Sequence, residues 1–183
     1  MLELSKHILD IVENSVRADS RTVVITVIED TATDTLILEI SDDGKGMSAD
    51  EVVMALDPFY TTKKVRRIGL GLPMLKAAAE TTGGSLRLDS TVGQGTMVKV
   101  TFGHSHIDRQ PLGDVGLTLV TLIMGNPDVD FIYTHRRNNR EYQLDTRNIK
   151  RELGDVPIKH VEVLSLIRED VEEGIKEIGA TVQ

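Results

Sequence analysis

The chain has no cysteine among its 183 residues. That excludes disulfides, thiolate metal sites and cysteine nucleophiles. It has no tryptophan, and aromatic residues make up only 3%, so it lacks the stacking platforms that grip single-stranded nucleic acid. No apolar run approaches the roughly 18 residues that a membrane-spanning helix requires. The N-terminal stretch MLELSKHILDIVEN carries charge within its first turns and does not read as a signal peptide; a cytoplasmic location is the expectation. Positive charge is in deficit: Lys plus Arg is 21 against 29 Asp plus Glu, a net −8. A surface of that sign suits solubility and disfavours general nucleic-acid binding. What remains is ordinary globular material, 40% hydrophobic and 27% charged, long enough to bury a core unaided.

Periodicity lays out the first half. Leu4, Ile8, Ile11, Val12 and Val16 fall on one helical face from residue 4 to about 17. RTVVITVIE (21–29) and TLILEIS (35–41) read as strands, and the short link between them predicts an antiparallel hairpin. Ser48 and Glu51 form a capping-box signature for a short helix over 48–56. A basic loop, 57–68, leads to Gly69, Gly71 and Pro73 and a helix running to about Thr82. SLRLDS and GTMVKVTF are two further strands joined by TVGQ. The expected fold is α/β, a two-layer sandwich with a largely antiparallel sheet and helices on one face.

The remaining residues predict an apolar, buried helix at 115–124. A hairpin about Asn138-Asn139 follows, flanked by VDFIYTHR and REYQLDT, and then an amphipathic helix at about 158–178. The expected division is 1–104 as one domain and 105–183 as an extension packed on it.

Three features carry chemistry. Asp10, Asn14 and Arg17 lie within about 60° of one another on the polar face of the first helix. A carboxylate, an amide and a guanidinium on one face can activate water, hold a metal through the amide oxygen and neutralise phosphate. A plain solvated helix face is the competing reading. Next, Asp42-Asp43-Gly44-Lys45-Gly46-Met47 is a tight glycine loop following a strand, able to approach a ligand closely or simply to turn. Last, Ile68-Gly69-Leu70-Gly71-Leu72-Pro73 leads glycines into a helix N-terminus, which favours phosphate. It is not a Rossmann fingerprint, and no P-loop pattern occurs. Between the two glycine segments, Lys63, Lys64, Arg66 and Arg67 form a basic stretch that can act as a lid over phosphates or as an exposed loop.

Taken in order, these segments resemble the Bergerat-type ATP-binding domain of the GHKL superfamily: gyrase B subunits, heat-shock chaperones of the ninety-kilodalton class, histidine kinases and MutL-type repair proteins. DIVENSVRA resembles the N box, SDDGKGM the first glycine box, DPFYTTK the F box of histidine kinases, GLGLPMLK the second glycine box and GQGTMVKVTF the closing strand. The resemblance implies that Asn14 coordinates Mg²⁺ on the phosphates of ATP. Asp10 falls where the family's ATPases carry a Glu general base, one methylene longer. Arg17 matches a phosphate-contacting position, and Asp42 one that binds the adenine amino group. Gly44, Gly46 and Met47 would line the adenine pocket. Gly69, Leu70, Gly71 and Leu72 would offer N–H groups to phosphate. Thr96 would lie near the adenine and its bound water, and Lys63 would reach in from the lid.

The resemblance stops near residue 102. The chain opens at the N box, which leaves no room for a phosphoacceptor module, so the expectation is a stand-alone protein similar in build to the small anti-sigma-factor kinases. Three functions are open: a kinase acting on a partner protein, a slow ATPase, or an ATP-sensing regulatory module. A homodimer is a further possibility. The 128–146 hairpin is expected to join the sheet where the family has a strand before the N box. His104, His106 and Asp108, and the cluster Arg136, Arg137 and Arg140, read more simply as linker and charged turn than as metal or partner sites.

Overall fold

A computed structural model describes residues 3–57 and 71–180. The chain order is α1 (Leu4–Arg17), β1 (Thr22–Asp30), β2 (Thr35–Asp42), α2 (Ala49–Ala55), α3 (Gly71–Thr81), β3 (Ser85–Thr91) and β4 (Gly95–Gly103). Then come α4 (Val115–Gly125), β5 (Asp130–Arg137), β6 (Arg140–Asp145), α5 (Thr146–Leu153) and α6 (Val161–Glu177). The strands form one six-stranded sheet in the order β3-β4-β2-β1-β5-β6. Every pairing is antiparallel except β1 with β5. The α/β sandwich expected from the pattern is the fold observed.

Alternation decides which face is covered. Val23, Ile25 and Val27 of β1, Leu36, Leu38 and Ile40 of β2, and Val98, Val100 and Phe102 of β4 are buried, while the residues between them are half-exposed. α1 lays Leu4, Ile8, Ile11 and Val12 into the same core. Removal of this apolar surface from water is the main driving term.

The 128–146 hairpin does join the sheet. β5 pairs with β1 from Thr22↔Asp130 to Glu29↔Arg137. The turn sits at Asn138-Asn139 as expected, with Asn138 left-handed at φ 52°, a conformation asparagine tolerates. Asn138 also ties the turn to the neighbouring hairpin: its Oδ1 accepts from the Thr31 N–H at 3.0 Å.

Beneath that turn lies a buried polar cluster. Glu29 is 1% exposed. Its Oε1 is 2.8 Å from His135 Nε2, and its Oε2 is 3.0 Å from His104 Nε2. The Tyr133 hydroxyl meets His135 Nδ1 at 2.8 Å. Burial pushes the Glu29 carboxyl up, but the hydrogen bonds from the two imidazoles outweigh it and hold it below its ordinary range. His104 is thus a structural partner of Glu29. The His106 ring accepts from the Asp108 N–H at 3.1 Å.

Two expectations need revision. α4 is not covered all round. It is flanked by α1 and α6, and Leu117 and Met124 are left exposed at 48% and 56%; a helix in an outer layer keeps one side in water. α5 was not foreseen. It is capped by Asp145, whose side chain accepts from the Arg147 N–H, and the last helix begins only after it, at Val161.

Candidate functional site

α1 supplies the first wall. Its inward stripe turns Asp10, Asn14 and Arg17 outward together, all exposed. Arg17 is held along the helix: Nη2 lies 2.8 Å from Glu13 Oε2 and Nη1 donates to Asn14 Oδ1 at 3.3 Å. Asp10 faces the start of α3, where a β-carbon at Gly71 would stand 3.9 Å from Asp10 Oδ2. The first N–H groups of a helix have no partner within it, so the carboxylate and these donors look onto one space.

The start of α1 is fixed by the segment before α4. The N-cap position, Glu3, makes no side-chain cap. Instead, the Leu4 and Ser5 N–H groups donate to the Pro111 and Leu112 carbonyls at 2.9 and 2.8 Å. Nearby, His7 is buried and its Nε2 sits 3.0 Å from Gln110 Oε1. Burial, above all, pushes the His7 imidazole below its ordinary value, so the ring serves as a neutral hydrogen-bonding group.

The second wall is the end of the sheet. Asp42 closes β2 and lies opposite Thr96 of β4, which in turn lies opposite Ser90 of β3. Asp42 is half-buried with its carboxylate fully oriented: Oδ1 accepts from the Gly44 N–H at 2.9 Å, and Oδ2 from the Ser15 hydroxyl at 2.6 Å. Gly46, at φ +66°, packs against the Thr91 carbonyl so closely that any β-carbon would collide with that backbone. The Lys45 carbonyl accepts from the Gly93 N–H at 2.7 Å. The loops 42–47 and 91–95 are thereby interlocked, and Met47 is packed half-buried against the core.

Asp10, Asn14 and Arg17, the loop from Asp42 to Met47, Thr96, and Gly71 with Leu72 thus form the walls of one region. Lys63, Gly69 and Leu70, with the rest of the basic stretch and most of the F-box-like segment, lie outside the described residues. Sequence reasoning missed two residues. Ser15 is buried on the apolar side of α1, and Ser90 continues the inward alternation of Leu86 and Leu88. In both cases the signal was a hydroxyl at a position whose neighbours along the repeat are apolar.

Among the described residues, no three His, Asp or Glu side chains are grouped to hold a metal. Asn14 Oδ1 is a hard amide oxygen on the exposed face. One such donor completed by phosphate oxygens is the set that Mg²⁺ accepts, so the residues fit that ion in company with a nucleotide.

Residues 2–106 match the family described as histidine kinase-, DNA gyrase B- and HSP90-like ATPase, which is more than half of the chain. The chain is 41% identical over 68 residues to the sensor kinase CckA of Brucella abortus, covering 37% of this chain and 7% of that protein. It is 31% identical over 98 residues to the sensor histidine kinase ZraS of Salmonella typhi, covering 53% of this chain and 21% of that protein. It therefore spans less than a quarter of the length of either relative. In fold it is similar to the N-terminal domain of a DNA repair protein, with a TM-score of 0.54 and 17% identity, covering 86% of this chain and 59% of that one.

Proposed function

Because the chain belongs to the histidine kinase-, DNA gyrase B- and HSP90-like ATPase family, we propose that it binds Mg²⁺–ATP between α1, the Asp42–Met47 loop and the start of α3, and transfers the γ-phosphoryl group to a partner protein or to water. The observation that carries this reading is the carboxylate of Asp42. It is held by Ser15 and Gly44 at the end of the sheet, with only acceptor oxygens to offer an incoming base. An adenine amino group satisfies it; a guanine carbonyl oxygen does not.

The rest follows from charge. Asn14 would hold Mg²⁺, which when bound offsets charge on the phosphates. Arg17 is released from Glu13 to the phosphates at little cost, since an exposed ion pair contributes less than about 1 kcal/mol. The N–H groups of Gly71 and Leu72, in the first turn of α3, add donors. Asp10 orients or deprotonates the acceptor. Residues 1–104 carry this chemistry, and residues 105–183 brace α1 and the sheet. The shorter carboxylate at position 10 favours a second reading, an ATP-sensing module with slow or absent turnover, in which the brace transmits occupancy.

Calorimetric titration of ATP and ADP with Mg²⁺ tests the proposal, with phosphate release followed in parallel. Asp42→Asn is expected to weaken binding by about ten- to a hundredfold, the worth of a hydrogen bond to a charged group. Release or transfer abolished by Asp10→Asn assigns turnover to that carboxylate. Binding without either supports the sensing module. A folded wild type that binds neither nucleotide refutes the proposal.

A further inference from the structure

Ser90 has no role in the reading above, yet three polar contacts converge on its one hydroxyl. The Met47 N–H donates to Ser90 Oγ at 2.8 Å. The Gly95 carbonyl lies 2.9 Å away and the Thr96 hydroxyl 2.8 Å away. A hydroxyl has one proton to give and two lone pairs with which to accept. The Gly95 carbonyl can only accept, so Ser90 must donate there; otherwise two oxygens would face each other without a proton. Ser90 then accepts from Met47 and from Thr96. All three contacts are satisfied in this arrangement alone, and it commits the Thr96 proton to Ser90.

The consequence reaches the base end of the site. Ser90, Thr96 and Asp42 form one row across β3, β4 and β2. Parity puts their side chains on the helix-covered face, in line with Leu88, Val98 and Ile40. With its proton turned to Ser90, Thr96 presents only lone pairs to the space beside Asp42, whose carboxylate oxygens are acceptors as well. We infer that Ser90 is a positioning residue for base selectivity: it locks Thr96 as an acceptor, so that this end of the pocket takes the 6-amino group of adenine and rejects the oxygen that guanine carries at the same position. The inference rests on the nucleotide reading and deepens it. The same hydroxyl holds Met47 against the β3–β4 hairpin, so one residue sets both the wall and the polarity of the pocket.

The fold supplies its own control. At the other end of the same strand pair, Ser85 Oγ meets Thr101 Oγ1 at 3.2 Å, a Ser–Thr bridge of the same kind remote from the site. The experiment is calorimetric titration of the full chain with ATP and with GTP, comparing wild type, Ser90→Ala, Ser90→Thr and Ser85→Ala. Ser90→Ala is expected to narrow the preference for ATP over GTP by about three- to tenfold, the worth of one hydrogen bond. Ser90→Thr restores the preference and Ser85→Ala leaves it unchanged. Should Ser90→Ala fold poorly, Thr96→Val, which removes the oriented oxygen itself, is expected to narrow the preference in the same way. An unchanged ATP:GTP ratio in folded Ser90→Ala or in Thr96→Val overturns the inference and leaves ATP binding standing. Equal losses for both nucleotides in Ser90→Ala and Ser85→Ala also overturn it, because they mark a purely structural effect. A wild type that binds neither nucleotide overturns the reading on which the inference rests, and the inference with it.

Discussion

Glu29 is buried, 1% exposed, and replacing it with glutamine isolates its charge. The shape is kept and the carboxylate is lost. In the native cluster, each carboxylate oxygen serves one imidazole. A carboxylate oxygen only accepts, so His135 Nε2 donates to Glu29, and the Tyr133 hydroxyl, which can give or take a proton, meets Nδ1. Glutamine has one acceptor oxygen and one amino group, so one imidazole must change tautomer to accept from the amide or lose its partner. Both imidazoles lose a charged acceptor, and a hydrogen bond to a charged group is worth about 1.5–3 kcal/mol. Arg137 Nε, 3.7 Å from Oε2, loses its counter-charge too. The expected destabilisation of Glu29→Gln is about 2–4 kcal/mol, read as a lower urea midpoint at unchanged slope. The pH dependence has a definite sign. The folded carboxyl lies below its ordinary value of 4.5, so its stabilisation is fully present above that pH and is lost as pH falls through the folded value. The gap between wild type and variant should therefore close in acid. A loss below about 0.5 kcal/mol at neutral pH, within the range of an ordinary surface change, would refute the reasoning that these hydrogen bonds stabilise the fold.

Two further outcomes are expected. Ser15→Ala removes the hydroxyl that orients Asp42 while placing a better helix former in α1; nucleotide affinity should fall about three- to tenfold with little change in melting temperature, as calorimetry and thermal unfolding together would show. Gly174→Ala would stabilise an ordinary helix by up to about 1 kcal/mol, but here the new methyl runs into the Tyr142 ring, which is anchored by its hydroxyl to Asp170 at 2.5 Å. Overpacking of that kind costs about 1–3 kcal/mol, so net destabilisation is expected, and it should be smaller in a Tyr142→Ala background.

The elements with a strong repeat were legible from the chain alone. α1, β1, β2 and β4 each alternate or recur at one period, and their bounds fall within a residue or two of the expectation. The capping box of Ser48 and Glu51 is present as read. α5 was not legible. TRNIKREL has apolar residues only at Ile149 and Leu153, one helical repeat with no second to confirm it. It is supported by the local Asp145 cap, a single polar signal, and by Lys150, whose Nζ reaches Asp130 at 2.7 Å, a contact that requires β5 and β6 to have folded back on each other. The exposed side of α4 was hidden for the opposite reason: its sequence is apolar except for Thr118 and Thr121, one buried and one exposed, so no period marks which side faces water.

The residues of the proposed site stood out in the sequence for a different cause. Charged and glycine residues stand out in a sequence because little else explains them, and they led to Asp10, Asn14, Asp42 and the two glycine segments. The residues that set the chemistry of those groups did not stand out, because their signal is a small polar side chain at an inward position. Ser15 shares a helical face with Ile8 and Ile11, and Ser90 a strand face with Leu86 and Leu88. A hydroxyl buried at such a place must find a partner or cost free energy. In this fold Ser15 donates to one oxygen of Asp42, and Ser90 donates to the Gly95 carbonyl while its oxygen meets the Thr96 hydroxyl. Where an apolar repeat admits one hydroxyl at its end, that hydroxyl marks the edge at which core gives way to polar groups, here those of the proposed nucleotide site.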